Sequence, residues 1–202
     1  MKTIHPGGTM RLFPRLVVIS ILYLIASAGT VAASESSEKT PEAKANDASA
    51  KATSAYNEGV RRIDHAKEIG LKGDSTYAYN YRATSDAKAR REYEKAVTAF
   101  QKAITLNPQF KEAHNNLGYC FRKLGKLEES LAAYDRAIAL DSNFAQAREY
   151  RGETYLSLGQ LTKAQAELEF LKALKSPYAD QLEHSIELFK LAEIDRAAHG
   201  DK

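Results

Sequence analysis

The chain has 202 residues, 27% of them charged, with no tryptophan and a nominal net charge of +3, the make-up of a soluble globular protein rather than a disordered or fibrous one. Three of the 29 basic residues, Lys2, Arg11 and Arg15, fall in the first 33 positions, where there is no acid, so the remainder carries 26 of each sign. A remainder balanced at zero has no global field to draw it to nucleic acid or anionic lipid, so nucleic acid is not expected as a partner.

Residues 1–33 read as a secretory signal. The three cations precede an apolar run, Leu16 to Ala28, and Val31-Ala32-Ala33 offers small residues where a signal peptidase reads. The run is shorter than the roughly 20 residues that span a bilayer, so cleavage after Ala33 and a periplasmic or secreted location are expected. Membrane attachment is expected only if the segment is retained. No cysteine near the cleavage site suits lipid modification. Cys120, the single thiol, rules out an internal disulfide and sits on a predicted packed helix face as a small apolar residue.

Residues 34–53 are rich in Ala, Ser, Lys and Glu and lack large apolar side chains, so they read as a flexible linker, with a frayed helix start as the alternative. Beyond them the sequence repeats. A shift of 34 residues aligns Ala113 with Ala147, Gly118 with Gly152, Leu124-Gly125 with Leu158-Gly159, and Phe121 with Tyr155. The same shift gives a small series, Ala96, Ser130 and Ala164, and a large apolar series, Phe100, Tyr134 and Leu168. Within a unit the apolar steps are helical: Ala113, Leu117, Cys120, Phe121 and Leu124, a break at Gly125, then Leu127, Leu131, Tyr134 and Ile138. Asn107-Pro108 and Asp141-Ser142 punctuate the boundaries. Mid-helix Gly118 and Gly152 cost about 1 kcal/mol each relative to Ala, which makes sense where another helix passes too close for a side chain.

The stretch from Ala113 to Asp141, with its Leu117-Gly118 pair, Phe121, Gly125, Ser130, Tyr134 and Ala137, resembles a complete tetratricopeptide repeat. The unit 145–178 resembles one less well, with Arg151 where Leu is usual and Leu171 where Ala is usual. Ala96–Pro108 resembles a second repeat helix whose first helix begins near Ala55, with Gly59 as its small residue and about 25 extra residues inside the unit, judged against the repeat spacing; read without a gap, Tyr77–Arg90 would be that first helix, but it lacks the Leu-Gly pair and the turn glycine. The resemblance implies an all-α fold, a right-handed superhelix of antiparallel helix pairs with a C-terminal capping helix. Its divisions are a signal at 1–33, a linker at 34–53, an atypical first repeat with an insertion at 54–110, a repeat at 111–144, a divergent repeat at 145–178, and a cap at 179–199. Leu182, Ile186, Phe189, Leu191 and Ile194 give the cap its apolar steps. Leu171 suggests that the cap packs at a wider separation than within a regular repeat.

No catalytic constellation is legible. The five histidines stand apart, no metal-ligand spacing occurs, and there is no phosphate loop or nucleophile elbow, so no catalytic residue, metal or cofactor is expected. By resemblance, ligand contacts come from the inner side of each first helix: Asn115, Tyr119, Arg122, Lys123, Glu149 and Glu153, with Glu112, Gln146 and Leu156 beside them. Tyr119, Arg122 and Lys123 suit an acidic or carboxylate-bearing segment, and Glu149 and Glu153 suit basic groups. The basic clamp that some family members use for a C-terminal carboxylate is not matched residue for residue; Asn115 and Asn116 stand in its neighbourhood without the lysines. Tyr77, Tyr79, Tyr81 and Tyr93 read as anchors packing the insertion onto the repeat. The function implied is a non-catalytic adaptor holding a protein or peptide segment in an exported compartment. The alternatives are a self-assembling module, hence a homo-oligomer, and a membrane-tethered assembly factor.

Overall fold

The structure, a computed structural model, describes residues 40–71 and 87–199. The expected signal at 1–33, the tyrosines Tyr77, Tyr79 and Tyr81, and most of the insertion lie outside them. Among the described residues the chain forms seven helices: α1 (Pro41–Leu71), α2 (Ala87–Leu106), α3 (Lys111–Lys123), α4 (Leu127–Leu140), α5 (Ala145–Ser157), α6 (Leu161–Ala173) and α7 (Tyr178–His199). None of them is long and apolar enough to cross a membrane.

Helix α1 starts at Pro41, which corrects the linker reading for residues 41–53. Alanine-rich sequence is helical without burial, Pro41 suits the first helical position, and Lys51 pairs with Asp47 one turn earlier at 2.8 Å. Burial begins at Ala52 and continues through Ala55, Ile63 and Ala66, a stripe at three- and four-residue steps.

The glycines mark where helices nest. A Cβ on Gly59 would lie 2.6 Å from the Phe100 ring, and one on Gly118 would lie 2.7 Å from the Tyr134 ring. Phe100 and Tyr134 are fully buried, as are Ala96, Ser130 and Ala164 of the small series. Ser130 Oγ donates a hydrogen bond to the Gly118 carbonyl at 2.8 Å, so the small residue also ties the two helices together. Gly152 is different: the nearest atoms to its Cβ position belong to Leu182 of α7, at 2.6 Å. The last helix is therefore drawn close to α5 at this point, while Leu171, fully buried, joins Leu168, Leu182 and Ile186 in one apolar cluster.

Three turns share one closure. After α3, the Lys126 amide donates to the Phe121 carbonyl at 2.9 Å and the Gly125 amide donates to the Arg122 carbonyl, with Gly125 at φ +76°. After α5, Gln160 and Gly159 repeat the pattern with Gly159 at φ +71°. After α6 the same hydrogen bonds run from Ser176 to Leu171 and from Lys175 to Lys172, but the left-handed position, φ 51°, is held by Lys175. A side chain there costs about 1–2 kcal/mol that glycine avoids.

Arg151, which stands where leucine is usual in the resembled repeat, is accommodated by ionic partners. It pairs with Asp135 of α4 and Glu167 of α6, and Arg148 reaches the same Glu167 at 3.1 Å while stacking on Phe170. Cys120 lies fully buried in the first core cluster, and burial pushes its thiol well above the usual range. In α7 the apolar series divides. Ala179, Leu182 and Ile186 are buried and Phe189 packs against them, but Leu191 and Ile194 are 62% and 65% exposed. The helix runs 22 residues against 13 in α6, so its second half outreaches its neighbours.

Candidate functional site

Helices α1, α3 and α5, the first member of each pair, meet along one face. Asn116 Nδ2 of α3 donates to Tyr56 Oη of α1 at 3.2 Å, and Asn115 Nδ2 donates to Gln146 Oε1 of α5 at 3.3 Å. Further along, the Lys67 ammonium of α1 sits 5.4 Å from the centre of the Tyr119 ring. The Arg122 guanidinium pairs with Glu153 of α5 and lies 5.3 Å from the Tyr150 ring. These contacts follow from the 3.6-residue period. Tyr56, Val60, Ile63 and Lys67 fall on one stripe of α1, and Gln146, Tyr150 and Glu153 on one stripe of α5.

Tyr119 is the centre of the arrangement. Its ring is 6.2 Å from that of Tyr93 and 5.6 Å from that of Tyr150. Three cations surround it: Lys67 at 5.4 Å, Arg122 at 5.7 Å and Lys123 at 5.5 Å from the ring centre. Each contact of this kind contributes about 0.5–1 kcal/mol at exposed sites and more when water is excluded. Burial, with the neighbouring Tyr93, pushes the Tyr119 phenol above its ordinary value, so it stays a neutral donor. Burial and the Arg122 charge push the Lys123 ammonium below its ordinary value. An anion placed beside Lys123 would relieve that penalty.

The six expected contact residues fall into two groups. Asn115, Arg122 and Glu149 are buried, at 1%, 4% and 2% exposure; Asn115 and Arg122 join α3 to α5, and Glu149 lies beside Glu153 of its own helix. Tyr119, Lys123 and Glu153 are partly exposed and form the accessible surface. Leu156 belongs to the core cluster shared with α6 and α7. The acidic half of the expected surface is largely cancelled: Glu153 is held by Arg122, and burial together with the Glu153 charge pushes Glu149 up to about 8. Burial therefore favours the uncharged form of Glu149. Lys67, Tyr56 and Tyr150 also border this site; of these only Tyr150, four residues after Gln146, is marked by helical spacing from an expected inner-face position, and Tyr93, expected to anchor the insertion, borders it too.

Glu149 makes stability depend on pH in a defined direction. Folded, its carboxyl holds its proton to a higher pH than in the unfolded chain, because burial and the Glu153 charge disfavour the anion. Through that window the folded chain keeps a proton that the unfolded chain has lost, so rising pH weakens the fold. Glu149→Gln, neutral at every pH, should melt close to the parent at pH 5 and clearly above it at pH 8.5. A melting difference that stays constant over that range would contradict the assignment.

Comparison with known proteins agrees with this architecture. A family model described as tetratricopeptide repeat matches residues 81–143, and a second with the same description matches residues 133–166. No curated protein matches closely enough to count as a relative. Among solved structures, the TPR domain of Arabidopsis OM64 is 18% identical, with 69% of this chain and 97% of that one covered and a TM-score of 0.51. The second TPR domain of human RPAP3, solved with an HSP70 peptide, is 19% identical, with 66% and 98% covered and a TM-score of 0.46. The Sgt2 TPR domain of Aspergillus fumigatus is 20% identical, with 69% and 83% covered and a TM-score of 0.47. With the nested Gly118 and Gly152, the turns closed at Gly125 and Gly159 and the paired helices, the two family models show tetratricopeptide repeats within residues 81–166 of this chain.

Proposed function

We propose that this protein is a non-catalytic adaptor that holds a carboxylate-bearing peptide or protein segment against the face built by α1, α3 and α5, in an exported compartment. The carrying observation is the Tyr119 ring set among Lys67, Arg122 and Lys123, where only Arg122 is neutralised, by Glu153. Neither lysine is paired with a carboxylate among the described residues. Tyr119 and Tyr150 supply flat, partly exposed rings for side chains flanking the carboxylate, while the two ammonium groups supply charge. The positively charged, apolar N-terminal segment supports the exported location.

A panel of synthetic peptides matched in length and apolar content, acidic, neutral or basic, tests the reading by fluorescence anisotropy. The acidic set should bind best. Lys123→Glu should weaken that set by tenfold or more and leave the melting temperature within a few degrees, because Lys123 holds no structural ion pair. Equal binding of all three sets, or an unaffected Lys123→Glu variant, would sink it.

A further inference from the structure

Glu149 and Glu153 stand side by side, one turn apart on α5. Glu149 is 2% exposed, and its Oε2 has no hydrogen-bond partner. From α3, Arg122 faces both acids and is paired with Glu153, while Lys123 feels the Glu153 charge from the partly exposed surface. From α4 comes the fully buried phenol of Tyr134, which burial keeps neutral, and Asp135, which pairs with Arg151. Glu167 of α6 is engaged with Arg148 and Arg151. Helix α7 buries Ala179, Leu182 and Ser185, while Asp180, His184 and Glu187 are exposed and Glu183 pairs with Lys172. Among the described residues, then, two neighbouring carboxyl groups share one guanidinium.

We propose that Glu149 and Glu153 make ligand capture proton-linked: the inner face holds an acidic segment while a proton stays on the pair, and losing that proton weakens the hold. The proposal rests on the adaptor reading above and adds its regulation. Two carboxylates this close, one of them out of water, resist ionising together, because each disfavours the anion of the other. Burial and the Glu153 charge accordingly push the Glu149 carboxyl above its ordinary range. Protonated, the trio of Glu149, Glu153 and Arg122 is neutral, and the Lys123 ammonium is left to meet the ligand. When Glu149 ionises, the trio carries one net negative charge beside that ammonium, which opposes an incoming carboxylate. The coupling is reciprocal, so a bound acidic segment in turn keeps the proton on the pair. Affinity is therefore full where Glu149 is protonated and falls as pH rises through its folded titration. Burial also lowers the Lys123 ammonium, which acts in the same direction, so Glu149→Gln is the change that separates the two.

Anisotropy with the full chain and the tightest acidic peptide of the panel, acetylated and free of His and Cys, tests the linkage at pH 6 and pH 9. The parent dissociation constant should rise threefold or more between them, and Glu149→Gln should remove more than half of that rise, with melting curves checking that both chains are folded at both pH values. A second measurement needs no variant. Calorimetry of the parent at pH 8, in two buffers of different ionisation heat, should show protons taken up as the peptide binds. A peptide that fails to bind at pH 6 would defeat the adaptor reading and this proposal together. Binding at pH 6 that stays flat to pH 9, an equal rise in the Glu149→Gln variant, or binding without proton uptake would overturn the proposal and leave the adaptor reading standing.

Discussion

Leucine at Gly118 should lower the stability of the fold by about 3 kcal/mol or more, the upper range for overpacking a filled site. Even a Cβ at this position would lie 2.7 Å from the Tyr134 ring, and the ring cannot retreat because it is fully enclosed. The two helices must separate, and the Ser130 hydrogen bond to the Gly118 carbonyl goes with them. For a chain of this length the loss corresponds to a fall in melting temperature of roughly 10 °C. Gly70→Ala supplies the control: a Cβ there meets nothing within 4 Å, so the change should be neutral or slightly stabilising. Equal melting of the parent and the Gly118→Leu variant would contradict the nested register.

Arg122→Leu should be comparably damaging, about 3 kcal/mol by denaturant midpoint, because removing the buried Arg122 strands the partly buried Glu153. The guanidinium is 4% exposed, pairs with Glu153, and lies against the rings of Tyr119 and Tyr150. Without it, Glu153 and Glu149 share a partly dry site in which neither is ion-paired. The double change Arg122→Leu with Glu153→Leu should recover most of the loss, since well-packed apolar residues replace a buried pair at little cost. A double variant as unstable as the single one would show that Arg122 acts through something other than the pair. This residue is therefore a poor probe of ligand binding, and Lys123 a good one.

The pairing of helices was legible because it rests on periodic features. Gly118 with Tyr134, the buried small series, and the glycine turns at Gly125 and Gly159 follow from a 34-residue shift together with helical spacing. What lay beyond reach depended on partners distant in sequence. Periodicity places Arg122 and Glu153 on one face, but not against each other; only the approach of α3 and α5 turns two solvated charges into a buried pair. Gly152 was legible as a close approach, yet its neighbour is Leu182 of the last helix rather than a residue of the helix that follows it. Residues 41–53 lack large apolar groups, which left a linker and a helix start as alternatives; they are helical and mostly exposed up to the buried Ala52, because alanine needs little burial to be helical. The exposure of Leu191 and Ile194 was hidden for a related reason: helical spacing shows which residues share a stripe, not how far a neighbouring helix extends beside it.

The most direct test of the account is the position of a bound ligand. A photoreactive benzophenone side chain would replace Gln146, on the face between α3 and α5, or Arg136, an exposed position on α4, and each variant would be irradiated with the tightest acidic peptide from the panel. The account predicts a covalent peptide adduct from the Gln146 position and none from Arg136. Adducts from Arg136 alone, or in equal yield from both, would contradict it.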